Sequence, residues 1–243
     1  MRIRYLKNTD EILAESPLIL PAPRELKGKW REELGRRMGR EPEKLYLEIG
    51  CGMGGFLRKM AEREPEAGFI GVERISTVLA RAVGRPENAE NMRTANAPYA
   101  ADNRTAEECP NLVFAREVAE DLCEAFEDGE VDGIFLNFSD PWPKERHAKR
   151  RLTSDRHLRV YARVLKQGGI LRFKTDNDLL FPWSVESFLA NGWEILRQTD
   201  DLHADGEPLA EGNVLTEYEA AFLRKGKNIH CLEARFAGEK ADE

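Results

Sequence analysis

Two short stretches of this 243-residue chain carry the residue types from which an active site is built. The first is Leu47-Glu48-Ile49-Gly50-Cys51-Gly52-Met53-Gly54-Gly55, where a buried-strand pattern stops and a helical pattern begins. Glycines at such a junction let the backbone approach a ligand closely, and a helix N-terminus faces it. Gly50, Gly52 and Gly55 fit the spacing G-x-G-x-x-G, and acidic Glu73 ends the next strand, which is also the dinucleotide fingerprint. Glu73 would accept hydrogen bonds from both ribose hydroxyls of a dinucleotide or of another nucleoside cofactor. Glu48 puts a carboxylate at the strand's end, where a nicotinamide enzyme usually has an apolar residue. The plainer reading of both acids is a partly exposed strand end.

The second stretch is Asn137-Phe138-Ser139-Asp140-Pro141-Trp142-Pro143-Lys144, continuing through Glu145-Arg146-His147-Ala148-Lys149-Arg150-Arg151-Leu152. A polar residue at the carboxyl end of a central strand lies in the crevice where open α/β sheets bind ligands. The prolines stiffen the loop, and Trp142 offers a flat face for packing or base stacking. A short Asp/Asn-Pro-aromatic loop in this place is also similar to that of amino-methyltransferases acting on adenine or cytosine. From Lys144 to Arg163 the chain carries a charge of +6, against −7 for the whole, so the remainder is −13. A local phosphate-contacting patch on an acidic body has this asymmetry, and so does a solvated helix face.

These residues need a scaffold that ends strands beside helices. Short apolar runs at Leu45–Ile49, Gly68–Glu73, Asn111–Ala115, Gly133–Phe138 and Gly169–Thr175 predict strands. Helices are expected between them over Gly54–Glu64, Ile75–Val83, Val118–Phe126 and Thr153–Leu165, the last capped by Thr153 or Ser154 and stopped by Gly168-Gly169. A further helix over Asp178–Ala190 and strands over Trp193–Gln198 and His230–Phe236 would complete one edge. The pattern predicts an α/β fold, a doubly wound, mostly parallel sheet with helices on both faces. Residues 1–40 read as a basic arm and residues 41–243 as one domain, with an insertion near 84–110.

Composition narrows the rest. With 41% hydrophobic and 33% charged residues the chain is globular rather than disordered. It has no secretory leader and no run of roughly 18 apolar residues, so no membrane partner is expected. Cys51, Cys109, Cys123 and Cys231 are scattered without a C-x-x-C pair, and the four histidines show no ligand spacing. A reducing cytoplasm and no metal are the expectation, with a monomer or a homodimer equally compatible.

The longer string D-P-W-P-K-x-R-H-x-K-R-R-L resembles the signature of bacterial tRNA (guanine-N7)-methyltransferases. The resemblance runs from about Leu45 to Phe236, with E-I-G-C-G-M-G-G, G-V-E-R, F-K-T-D-N and T-E-Y-E in the family's order. It implies a Rossmann-like class I methyltransferase fold, S-adenosylmethionine as cofactor with S-adenosylhomocysteine as product, and tRNA as partner. Carried over, Glu48, Gly50, Gly52 and Glu73 bind the cofactor, and Asp140 serves both cofactor and catalysis. Lys144, Asp176, Thr216, Glu217, Tyr218 and Glu219 contact the substrate, and Arg146, His147, Lys149, Arg150 and Arg151 lie against RNA. Val118 stands where the family has an Asp near the adenine, with Glu117 or Glu120 as the substitute. Local pattern offers other roles. T-x-x-E at Thr216–Glu219 is a capping box, Asp176 could form a turn, and Arg150 and Arg151 could pair with surface acids. An amino-methyltransferase of another base, an NAD-dependent oxidoreductase and a non-catalytic RNA-binding protein are the rival readings.

Overall fold

A computed structural model of the chain describes residue 6, residues 8–83 and residues 109–238. The insertion expected near 84–110 lies almost wholly outside the described residues. The chain divides into two compact units, Met1–Val118 and Ala119–Glu243. The strands follow the order β3-β2-β1 in the first unit and β4-β5-β7-β6 in the second. Here β1 is Leu45–Ile49, β2 Gly68–Val72, β3 Leu112–Ala115, β4 Val131–Asn137, β5 Leu165–Thr175, β6 Trp193–Thr199 and β7 His230–Phe236.

In the first unit β1, β2 and β3 are parallel, in the register Glu48↔Gly71 and Gly71↔Phe114. Parallel strands covered on both faces read as continuous apolar runs, and every residue of β2 and β3 is buried. Helices α1 (Thr9–Glu15), α2 (Trp30–Met38), α3 (Gly55–Arg63) and α4 (Ser76–Val83) accompany them. The face of α3 formed by Phe56, Leu57, Met60 and Ala61 is buried, as the helical period requires. Residues of the first forty also enter this unit. Phe114 donates its N–H to the Leu18 carbonyl and accepts one from Leu20, while Trp30 and Leu34 are fully buried.

In the second unit β4 and β5 are parallel, and β7 pairs antiparallel with both β5 and β6. Its helices are α5 (Leu122–Ala125), α6 (Asp155–Val164), α7 (Leu180–Ala190) and α8 (Glu217–Leu223). Two expectations are corrected here. The helix expected over Val118–Phe126 is a 3-10 turn, Ala119–Asp121, followed by the four residues of α5. The helix expected over Thr153–Leu165 runs only Asp155–Val164, and Gly168-Gly169 do not stop it. They lie inside β5 at an irregularity of its pairing with β4, where a Cβ on Gly169 would stand 2.8 Å from the Asp132 carbonyl oxygen. Gly169 is bare for this backbone approach between strands, and Gly168 supplies a left-handed φ of 78° beside it.

Candidate active site

The glycine loop leaves β1 on three left-handed residues, Gly50 (φ 72°), Gly52 (φ 58°) and Gly54 (φ 72°). Only glycine adopts this conformation without steric cost. The N–H groups of Gly50 and Cys51 both donate to the Val72 carbonyl, at 2.9 and 3.1 Å, which ties the loop to the end of β2. Beneath it lies Phe114, and a Cβ on Gly54 would meet that ring at 2.5 Å. Sequence spacing singled out Gly50, Gly52 and Gly55, and the structure adds Gly54, which must remain bare.

Glu48 is 3% exposed on β1, so it is a buried acid and not an exposed strand end. Glu73 is half-buried and accepts hydrogen bonds from the Ile75 N–H at 2.9 Å and from the N–H groups of Gly52 and Arg74. Burial raises its pKa, and those three donors oppose the rise. Burial also pushes the Cys51 thiol well above its ordinary range, and the negative potentials of Glu48 and Glu73 push it further. Two carboxylates therefore act on one loop. Glu117 accepts from Nε and Nη2 of Arg24 at 3.0 and 3.2 Å and from the Val118 N–H at 3.0 Å. Glu120 is paired with Arg156. Both acids expected to replace the missing Asp thus already hold an arginine.

In the second unit Asp140 is exposed, and among the described residues no hydrogen bond to its carboxylate is seen. Its loop contains two non-glycine residues with positive φ, Phe138 (52°) and Trp142 (42°), conformations that persist only when surroundings enforce them. Phe138 donates its N–H to the Lys174 carbonyl at 2.9 Å and stacks on Phe222 and Tyr218, with centroids 5.7 and 6.4 Å apart. Trp142 carries the Arg150 guanidinium over its ring at 4.9 Å and the His147 ring at its edge. Lys144, Arg146, Lys149 and Arg150 are exposed, and the Arg146 Nε donates to His147 Nε2.

The +6 segment splits. Arg156, Arg159 and Arg163 are paired with Glu120, Asp155 and Asp128, as on a solvated helix face. The cations from Lys144 to Arg150 form no such pair among the described residues. Asp176 is half-buried, and burial raises its pKa. The turn around it is made by its neighbours, since Thr175 Oγ1 accepts the Asn177 N–H and Asn177 Oδ1 accepts those of Leu179 and Leu180.

Thr216 and Glu219 form a complete capping box at the start of α8, with the Glu219 N–H donating to Thr216 Oγ1 at 2.9 Å. Glu219 is 0% exposed, and its carboxylate accepts from Lys174 Nζ at 2.6 Å, Asn213 Nδ2 at 2.7 Å and His203 Nε2 at 2.8 Å. Burial alone would raise its pKa, but Lys174, with His203 and Asn213, holds the carboxyl below its ordinary range. Glu217 is half-buried and Tyr218 is 54% exposed, so Tyr218 is the residue of this run most open to a substrate.

Residues 42–232 match the model of a family described as "Putative methyltransferase". The tRNA (guanine-N(7)-)-methyltransferase of Lachnoclostridium phytofermentans is 38% identical, covering 96% of this chain and 98% of its own. That of Brevibacillus brevis is 41% identical with the same coverage. The chain belongs to the tRNA (guanine-N(7)-)-methyltransferase family. A solved structure described as an antibiotic-related methyltransferase superimposes with a TM-score of 0.55 at 15% identity, over 84% of this chain and 94% of its own. That likeness gives the Rossmann-like methyltransferase fold.

Membership decides between the methyltransferase and dinucleotide readings that the glycines left open. Sequence reasoning passed over three residues of this family member: Arg24, which clamps Glu117; Lys174, the buried partner of Glu219; and Trp183, on which Arg151 lies. Lys174 stands inside F-K-T-D-N, where attention went to Asp176, and Arg24 stands outside every motif and reads as surface charge. Among the described residues no helix is long and apolar enough to cross a membrane.

Proposed function

We propose that this chain transfers a methyl group from S-adenosylmethionine to N7 of a guanosine in the variable loop of tRNA, in the cytoplasm. The observation that carries the cofactor half is the joint action of Glu48 and Glu73 on the glycine loop, a negative environment suited to a cationic ligand. In this reading Glu48 faces the methionine end, Glu73 holds the ribose hydroxyls, and Gly50 and Gly52 give the backbone close approach. Glu117 lies near the adenine with its carboxylate steadied by Arg24. The bound cofactor supplies an electrophilic methyl group on a sulfonium.

Guanine N7 has an in-plane lone pair and no proton, so the protein need not remove one. Its residues must hold the purine in line with the methyl carbon and stabilise the positive charge that grows on the base. Asp140, exposed on a rigid loop, is assigned both tasks. Lys144 contacts RNA as a point charge, and Arg146, His147, Lys149 and Arg150 lie along the backbone with Trp142 beside them. Asp176, Thr216, Glu217, Tyr218 and Glu219 form the substrate wall, where Tyr218 and Asp176 meet the substrate and Thr216 and Glu219 fix the start of α8.

The test uses tRNA transcripts and methyl-labelled S-adenosylmethionine. Transcripts with the variable-loop guanosine are labelled, and replacing it by adenosine abolishes uptake. Equal labelling of both transcripts would place the methyl group elsewhere.

A further inference from the structure

Arg151 ends the basic run that the resemblance lays against RNA, yet its guanidinium is turned inward. Its Nε donates to the Pro141 carbonyl at 3.1 Å and its Nη2 to the Trp142 carbonyl at 3.2 Å. The guanidinium also lies over the Trp183 ring of α7 at 4.3 Å, and the side chain is half-buried. Arg150, the adjacent cation, is exposed. The two carbonyls belong to the residues directly after Asp140, and one of them, Trp142, is held at positive φ.

We infer that Arg151 is a positioning residue, which straps the Asp140 loop to α7, and not a phosphate contact. A planar fork with two parallel donors fits two successive carbonyls, and a flat cation stacks on an indole; a lysine ammonium reproduces neither. The loop's strained end requires such an external restraint, because a free Trp142 would relax out of the left-handed region. Phe138, packed on Phe222 and Tyr218, restrains the other end. Asp140 is thereby held from both sides while making no bond of its own among the described residues. The inference rests on the role proposed for Asp140.

The test compares Arg151→Ala, Arg151→Lys and Trp183→Leu with Arg150→Ala, in the full chain. Both Arg151 variants and Trp183→Leu should lose about 10–100-fold in single-turnover rate at saturating tRNA and cofactor, the scale on which a misplaced group costs rate. Their tRNA affinity should stay within about twofold, with the parental salt slope. Arg150→Ala should instead lower that slope by about 0.7–0.9. Millimolar guanidinium should restore part of the turnover of Arg151→Ala, and amide exchange over residues 138–144 should quicken in it. If Arg151→Ala fails to fold, Trp183→Leu and Arg151→Lys decide by the same rates.

A parental rate with a reduced salt slope in Arg151→Ala would make Arg151 a phosphate contact and overturn the inference. Unchanged exchange over the loop would overturn it at Arg151. Quickened exchange with unchanged turnover would overturn it at Asp140, and with it the role proposed for that carboxylate.

Discussion

A carboxylate beside a base that gains positive charge during methyl transfer acts through its own charge, so its removal should leave tRNA binding largely intact, while the cofactor contact implied for it makes a weaker cofactor affinity the expected companion. Asp140 is exposed, and Asp140→Asn keeps its shape, so the fold should survive. Single turnover at saturating tRNA and cofactor should fall by about 10²–10³, or roughly 2.7–4 kcal/mol, as for removal of one preorganised group at developing charge. A rate within about threefold of the parent would leave Asp140 a loop-shaping residue. A second prediction concerns the sealed pair Lys174–Glu219. Glu219→Gln strands a buried ammonium and should cost about 3–5 kcal/mol, read from urea denaturation near neutral pH. Because its folded pKa is depressed, the ionised Glu219 contributes its stability above the unfolded value of about 4.3 and loses it as pH falls through the lower folded value. The gap between parent and variant should therefore close in acid. An undiminished gap there would contradict the ion-pair account.

At the scale of elements, each strand and most helices were legible because apolar runs and turn residues alternate at βαβ spacing. What escaped was set by contacts distant in sequence. Gly168-Gly169 resemble a helix stop, but Gly169 is needed bare inside β5 opposite Asp132, a demand that no local window displays. The capping box at Thr216 was written in the sequence, whereas the inward turn of Lys174 depends on α8 arriving above β5. The motif glycines were visible as a set but not ranked by what lies against them. Gly52 has open space around its Cβ position, and Gly54 has the Phe114 ring at 2.5 Å. Gly52→Ala should cost about 1–2 kcal/mol for its left-handed backbone. Gly54→Ala adds an overpacking cost of about 1–3 kcal/mol to the same backbone strain, whereas Gly52→Ala, at a glycine assigned to cofactor approach, should weaken cofactor binding more. Thermal melts and cofactor titration of the two variants check this order, and equal losses would contradict it.

For the whole molecule, a net charge of −7 requires that any RNA affinity be local. The structure divides the basic segment, since the arginines of α6 are paired with acids, Arg159 with Asp155 one helical turn away and Arg156 and Arg163 with Glu120 and Asp128, whose proximity only folding creates. Arg159→Ala should leave the dependence of tRNA affinity on salt unchanged, because exposed pairs of that kind contribute little and the cation is spoken for. A slope reduced as much as in Arg150→Ala would extend the RNA surface onto α6.

The central claim, methylation of guanosine at N7, is tested most directly by the identity of the product. Purified protein, methyl-labelled S-adenosylmethionine and unmodified tRNA are incubated together, and the tRNA is digested to nucleosides and separated. The account predicts that the label runs as 7-methylguanosine, one methyl per substrate tRNA. Label in a methylated adenosine or cytidine, or tRNA that binds without acquiring label, would contradict it.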